Sequence, residues 1–528
     1  MAVASAVLLS LPYLLPSCGF LSLFAFIPLL SLERILSIEE KKGFVAYSAL
    51  TFILWNVFTT FWVCNATVGG GIFASLANAA QMVLVFQLFH WSKKRLRGVL
   101  PYLFLAAMWL AWEARYFQVQ ISWPWLTLGH AFADSISLIQ WYEYTGVIGG
   151  SLWVWACNLS LFGLMVAFSD GRWFTAYNPK ARIASVVTPA LVLLLPMLLS
   201  VVMWNRYEDE SEKSLDVVLT QPNFNPYEKF VSLSRKEQDE FLLEQIDEAL
   251  AGDSLQTPTL VLAPETFLSQ LWLHDIEGNE SIRRYSSWLS QHPSVTLLFG
   301  ASTYDLIQSR KAPSVTARRL NSSSWYESHN SALSLAGDGR SHVYHKSKLV
   351  VGTELTPYPS LLAPLDDKYL GGVIARCVGQ NEPGLLYDYA SSTPVAPIIC
   401  YESVYGDWCR GYVQKGAQLL CVITNDAWWG DTPGYRQHLN LSRLRAIETR
   451  RYVARSANTG ISAFINARGE ILQRTGWWTP ATLRAQVPLC TGQTFYVQHG
   501  DIIGRVSVFL FLLLAALWMV RLILRKNL

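Results

Sequence analysis

The sequence predicts a bundle of about eight membrane-spanning helices joined to one soluble α/β domain. Hydrophobic residues make up 51% of the 528 residues and charged ones only 15%, which is too apolar for a soluble chain of this length. Stretches close to the ~20 apolar residues that cross ~30 Å of hydrocarbon recur between Ala2 and Trp204, and one more closes the chain. From Leu215 the pattern changes to short β-branched runs alternating with amphipathic helical segments, which is the mark of an α/β layer structure.

Ala2 to Leu32 is apolar but broken by Pro12, Pro16 and Gly19, so it reads as two short helices or a hairpin. No Lys or Arg precedes it and no clear small-residue cleavage site follows, so retained membrane helices are expected rather than a signal peptide. Further spans fall at about Phe44 to Trp62, Gly70 to Phe89, Val99 to Trp112, Val147 to Phe168, Ala184 to Trp204 and Val506 to Val520. Basic residues follow every second span: Arg34, Lys41 and Lys42; Lys93, Lys94, Arg95 and Arg97; Arg172, Lys180 and Arg182; Arg521, Arg525 and Lys526. By the positive-inside rule these lie in the cytoplasm, so the long segment from about Asn205 to Gly504 faces outward, which in a bacterium is the periplasm. The expected organisation is therefore 1–204 as membrane helices, 205–504 as an outward domain and 505–528 as a closing membrane helix. The 21 tryptophans suit a protein that touches a bilayer interface. Glu113 and Arg115, at the end of one span, read either as an interfacial anchor or as the lining of a lipid headgroup path.

In the outward segment, strands are expected at Val217 to Thr220, Leu260 to Ala263, Val295 to Phe299, Ala332 to Leu335, Ala396 to Cys400, Leu419 to Thr424 and Ile461 to Ile465. Helices are expected at Lys236 to Leu250 and Gln437 to Tyr452, and Ser309 to Ser324 reads as an exposed loop. A net charge of +3 makes no case for nucleic acid. The eight cysteines show no CxxC pair and no ligand-like spacing with histidine, so no metal and no cofactor is expected.

Three ionisable residues stand just past buried strands. Cys400 ends Pro397-Ile398-Ile399, Glu265 follows Leu260-Val261-Leu262-Ala263-Pro264, and Lys346 follows His342-Val343-Tyr344-His345. Each alone is more often a core thiol or a solvated loop charge. A thiol, an acid and a base together at strand ends form a candidate catalytic set. Lys348 is the rival of Lys346, because strand alternation puts both on one face.

Ala-Pro-Glu265-Thr, Tyr-His-Lys346-Ser-Lys-Leu-Val and Ile-Cys400-Tyr-Glu-Ser resemble the Glu-Lys-Cys triad of the nitrilase, or carbon-nitrogen hydrolase, superfamily. Thr424-Asn425-Asp426-Ala427-Trp428-Trp429-Gly430, Gln437-His438-Leu439, Arg445-Ala446-Ile447-Glu448 and Ala457-Asn458-Thr459-Gly460-Ile461-Ser462 are similar to one member family, the bacterial apolipoprotein N-acyltransferases. The resemblance implies an α-β-β-α sandwich and a ping-pong reaction. Cys400 would take an acyl chain from a phospholipid as a thioester and pass it to the N-terminal amine of a diacylglyceryl-cysteine on an apolipoprotein. It implies Glu265 as base, and Lys346 with the Tyr401 N–H as oxyanion donors, each worth roughly 3 to 4 kcal/mol. It also implies supporting roles for Glu354 and Glu402, and the Trp-Pro-Trp of Ser122 to Leu126 resembles the family's membrane half. Trp428 and Trp429, on a loop with Gly430 and Gly434 as hinges, read as a lid or as packing behind Asn425. Two departures stand out: Val350-Val351-Gly352-Thr353 precedes Glu354 where relatives commonly read Val-Pro-Phe-Gly, and Phe230 occupies a place often held by tryptophan. Membrane association and a monomer are expected. The alternatives are a membrane-tethered amidase or nitrilase acting on a small amide, and a non-catalytic scaffold.

Overall fold

Segments that are apolar on all sides have no face to show water, and they form helices that bury aromatic rings among themselves. The structure, a computed structural model, describes residues 1–209, 211, 213–225, 233–252, 257–365 and 376–524, so Phe230 and the terminal Arg525 and Lys526 lie outside the described residues. The chain divides into two units, Met1–Tyr207 with His499–Leu528, and Glu208–Gln498.

The first unit contains helices Ala2–Leu14, Ile27–Ile38, Phe44–Thr60, Val68–Ser92, Leu100–Tyr116, Tyr142–Ser169, Pro179–Arg206 and Ile502–Leu524. A helix thus stands at each expected span, and the helices differ in length. Among the described residues, five stretches are long and apolar enough to cross a bilayer: Gly19–Ile38, Val68–Ser92, Tyr142–Ser169, Pro179–Arg206 and Ile502–Leu524. Ala2–Leu14 has 13 residues and Phe44–Thr60 and Leu100–Tyr116 have 17 each. At ~1.5 Å per residue these reach only ~20 to ~26 Å. The interior is aromatic, with Phe26 stacked 4.4 Å from Trp155 and Trp109 set edge-on to Trp155 at 5.4 Å. Glu113 and Arg115 are not a pair. Positions i and i+2 on a helix face different ways, so buried Glu113 accepts from Trp109 Nε1 and the Leu128 N–H, both at 2.9 Å, while exposed Arg115 reaches Gln118.

The second unit is built on two sheets. Among the described residues its strands are β1 (Ser214–Gln221), β2 (Thr259–Leu262), β3 (Leu268–Trp272), β4 (Val295–Gln308), β5 (Arg318–Arg319), β6 (Ser324–Ala336), β7 (Ser341–His345), β8 (Leu386–Asp388), β9 (Thr393–Ile399), β10 (Leu419–Thr424), β11 (Val453–Ala457), β12 (Ala463–Ile465), β13 (Ile471–Arg474) and β14 (Ala481–Pro488). One sheet runs β14-β1-β2-β4-β6-β5, with β3 on β4 and β7 on β6; the other runs β13-β12-β11-β10-β9-β8. β1, β2 and β4 are parallel, as are β9, β10 and β11. The sheets face each other through β1 and β2 against β11 and β6 against β8 and β9.

Helices cover both outer faces. Leu242 and Ile246 of Arg235–Leu250 and Ile282, Tyr285 and Leu289 of Glu280–Ser290 share one core with Val218, Val261, Leu297 and Phe299. Gly406–Gln414 packs on β9 and Pro433–Thr449 on β11. This is the expected α-β-β-α order. Arg235–Leu250 begins with a capping box, Ser234 with Glu237, which starts the helix one residue before the expected Lys236.

Candidate active site

Parallel strands end together, and their carboxyl ends place functional side chains at adjacent corners. Glu265 stands three residues past β2, Cys400 directly past β9, and Asn425 directly past β10. Two of these corners are strained: Thr266, after Glu265, has φ 47° and Cys400 has φ 48°, both left-handed and costly for a residue with a Cβ. Glycine at 300 lets the first corner approach β4, because a Cβ there would lie 2.6 Å from Glu265 Cα and 2.5 Å from the Thr266 nitrogen.

Lys346 joins the acids. Its Nζ is 3.1 Å from Glu265 Oε1 and 2.8 Å from Glu354 Oε1, with only 1% of the lysine exposed. Burial disfavours its ammonium, but the Glu265 and Glu354 carboxylates and Cys400 outweigh that, so its pKa is held well above the usual lysine range. Asn330, on β6, donates through Nδ2 to both carboxylates, at 2.8 Å to Glu265 Oε1 and 2.7 Å to Glu354 Oε1. The Asn425 N–H donates to Glu265 Oε2 at 3.2 Å. Each acid is therefore fixed by a cation, a shared amide and a backbone donor, the Asn425 N–H for Glu265 and the Val350 N–H for Glu354.

The altered turn before Glu354 still delivers the carboxylate. Gly352 takes φ 86°, the Glu354 and Leu355 N–H groups both donate to Val350 O, and Glu354 Oε2 accepts from the Val350 N–H at 2.8 Å. Lys348 does not compete with Lys346. β7 ends at His345, so alternation stops, and Lys348 Nζ lies over the Tyr405 and Trp408 rings at 5.2 and 5.0 Å from their centroids.

Burial pushes the Cys400 thiol well above the ordinary cysteine range, Glu265 adds to the shift, and Lys346 opposes it without reversing it. At neutral pH the resting group is a thiol. Glu265 is the carboxylate that this thiol senses most strongly.

Glu402 is wholly buried and accepts from the Ile399 N–H at 2.9 Å, the Ser347 N–H at 2.8 Å and Tyr344 Oη at 2.6 Å. It ties the segment after Lys346 to the strand that ends at Cys400. Tyr401 is 4% exposed, with its ring edge-on to Tyr405 at 5.2 Å. Trp428 is 41% exposed, whereas Trp429 sets its ring edge-on to His438 at 5.3 Å. Gly430 has φ 65°, but Gly434 lies in the first turn of Pro433–Thr449 with its N–H on Thr432 Oγ1, so the second expected hinge is a capped helix start. The eight cysteines are all free.

Reading the strands by apolar runs passed over Asn330, which sits in the polar stretch Glu327-Ser328-His329-Asn330-Ser331 of β6, just before the apolar run that reads as a strand. It also passed over β11 and the buried group Asp426, His438 and Arg455.

Two family models match the chain, carbon-nitrogen hydrolase over residues 231–495 and apolipoprotein N-acyltransferase N-terminal domain over residues 5–160. An apolipoprotein N-acyltransferase of Chlorobaculum tepidum is 30% identical over 504 residues, covering 92% of this chain and 90% of that one. One of Geobacter metallireducens is 27% identical over 520 residues, covering 95% and 91%. Among solved structures, an amidase from Nesterenkonia is 16% identical with a TM-score of 0.36, covering 55% of this chain and 95% of that one.

Proposed function

The chain belongs to the apolipoprotein N-acyltransferase family, and from that premise we propose that Cys400, Glu265 and Lys346 carry its acyl transfer. It is a membrane-bound bacterial enzyme of lipoprotein maturation, with a phospholipid as donor and an apolipoprotein as acceptor; the amidase alternative is not favoured.

In the first half-reaction Glu265 takes the thiol proton as Sγ attacks an ester carbonyl of the phospholipid. The oxyanion is met by the Lys346 ammonium and the Tyr401 N–H. Collapse expels the lysophospholipid alcohol, which takes the proton from Glu265 and leaves a thioester on Cys400. In the second, the N-terminal amine of the diacylglyceryl-cysteine attacks the thioester carbonyl and gives its proton to Glu265. The amide forms, and the departing sulfur recovers that proton as the thiol. Glu354 keeps Lys346 charged beside Glu265 throughout, and Glu402 holds the two segments in register.

The observation that carries this reading is the single ammonium of Lys346 held within hydrogen-bond reach of both Glu265 and Glu354 in a buried site electrically linked to the thiol. The basic residues after alternate spans support a topology in which 205–504 forms the catalytic domain, faces the periplasm and lies between membrane segments 1–204 and 505–528. We propose a monomer as the working unit.

Intact mass spectrometry after exposure to phospholipid tests the assignment. The wild type gains one hydroxylamine-labile acyl chain and Cys400→Ala gains none. An adduct of equal yield in Cys400→Ala would overturn it.

A further inference from the structure

Behind the nucleophile lies a buried group that the reaction above does not use. Asp426, His438 and Arg455, none of them exposed to solvent, come from the turn after β10, from the helix Pro433–Thr449 and from β11. Arg455 Nη2 donates to Asp426 Oδ2 at 2.7 Å and Thr424 Oγ1 to Asp426 Oδ1 at 2.8 Å. His438 Nδ1 is 2.9 Å from the same Asp426 Oδ1 and 3.2 Å from Arg455 Nη2, and its Nε2 is 3.1 Å from the carbonyl oxygen of Cys400 and 2.9 Å from Ser403 Oγ. Ser403 Oγ donates its own hydrogen to that carbonyl at 2.8 Å.

Counting hydrogens decides the ring. A carbonyl oxygen only accepts, so Nε2 carries a hydrogen, shared between Cys400 O and Ser403 Oγ. Asp426 is held down to about 2; burial would raise it, but Arg455 and His438 outweigh that. Arg455 Nη2 carries two hydrogens, one donated to Oδ2 at 2.7 Å and the other free to face Nδ1 at 3.2 Å.

The Cys400–Tyr401 peptide is trans, like the others among the described residues, so its C=O and N–H point in opposite directions within one plane. Two donors grip the carbonyl from the side of the Pro433–Thr449 helix. We infer that His438 is a positioning residue for acyl transfer: by holding the Cys400 carbonyl it holds that strained corner and fixes the opposite direction for the Tyr401 N–H, the oxyanion donor. The inference rests on the proposed role of Cys400 as nucleophile.

Two reactions of the same sulfur separate this role from general packing. Thioester formation builds an oxyanion, whereas alkylation by iodoacetamide builds none. In the full-length detergent-solubilised protein, His438→Leu slows single-turnover thioester formation from phospholipid micelles by ~100-fold, the scale of one oxyanion donor. Its half-saturating phospholipid concentration and its Cys400 alkylation rate both stay within about threefold of wild type. His438→Gln, which keeps an N–H at similar reach, recovers at least ~10-fold of the loss. Acylation of His438→Leu at the wild-type rate overturns the inference, as does an equal fall in acylation and alkylation, or a His438→Gln variant as slow as His438→Leu. A wild type that is alkylated at Cys400 yet never forms the thioester removes the proposed function instead, and this inference with it.

Discussion

Cys400 is a buried thiol whose pKa is raised, not a preformed thiolate, and this sets how it responds to pH. Burial, Glu265 and Asp426 all disfavour the anion, while Lys346 and the Thr424 hydroxyl favour it less strongly. Because the pKa lies above the ordinary range, the thiolate fraction at neutrality is small and grows about tenfold per pH unit. Iodoacetamide alkylation of Cys400 is therefore expected to climb through pH 9 without a plateau. Glu265→Gln removes a negative charge, so at pH 8 it should be alkylated faster than wild type while its thioester formation falls by ~100-fold or more. Slower alkylation of Glu265→Gln would count against this electrostatic account. The two lysines give a second contrast. Lys346→Ala leaves Glu265 and Glu354 sharing Asn330 with no cation between them, and thioester formation should drop by ~1,000-fold. Lys348→Gln, whose lysine faces two aromatic rings, should acylate within about threefold of wild type.

At the scale of elements, corners are held by what packs against them. Gly300 of β4 lets the Glu265 corner close, so Gly300→Ala must push backbone away, since the contacts at 2.5 and 2.6 Å are to backbone atoms and no side chain can swing aside. Acyl transfer is expected to fall at least ~10-fold with the protein still folded, measured as thioester yield against the thermal melt. The corner at Asp426 fails differently. Arg455→Leu strips a buried carboxylate of its main cation, a change that destabilises by roughly 3 to 5 kcal/mol. The melting temperature should fall by roughly 10 °C, read by scanning fluorimetry in detergent. Sequence periodicity located β9 and β10, whose runs are wholly buried, and the helix Arg235–Leu250, whose stripe is regular. It missed β11, Val-Ala-Arg-Ser-Ala, because a buried arginine and serine interrupt the apolar signal, and it is their partners, Asp426, Ser442 Oγ and Ile461 O for Arg455 and Thr220 O for Ser456, that offset the burial.

At the scale of the whole molecule, the proposed topology predicts which loops a protease can reach. Ser309 to Ser324 offers Arg310, Lys311 and Arg319, all of them exposed. Trypsin should cut there in spheroplasts and spare the stretch Lys93 to Arg97, whereas inverted vesicles should show the reverse. Cleavage at Lys93 to Arg97 in intact spheroplasts would invert the assignment. The helix lengths bear on the same question. The helices at three of the eight expected spans have 13, 17 and 17 residues, at or below the lower end of the roughly 17 to 25 that cross a bilayer, because hydropathy marks apolar stretches without marking where a helix ends.

From the order of residues alone came the class of each unit, the family, and the acid, base and thiol at 265, 346 and 400, because composition, periodicity and short motifs are local properties that survive without coordinates. Folding decided which groups meet. Glu354 returns to Lys346 through a turn that departs from the usual pattern, Asn330 bridges two acids from mid-strand, and His438 grips a carbonyl 38 positions away. Such contacts join residues from different strands and helices, and distance in space across a two-sheet core is not written in spacing along the chain.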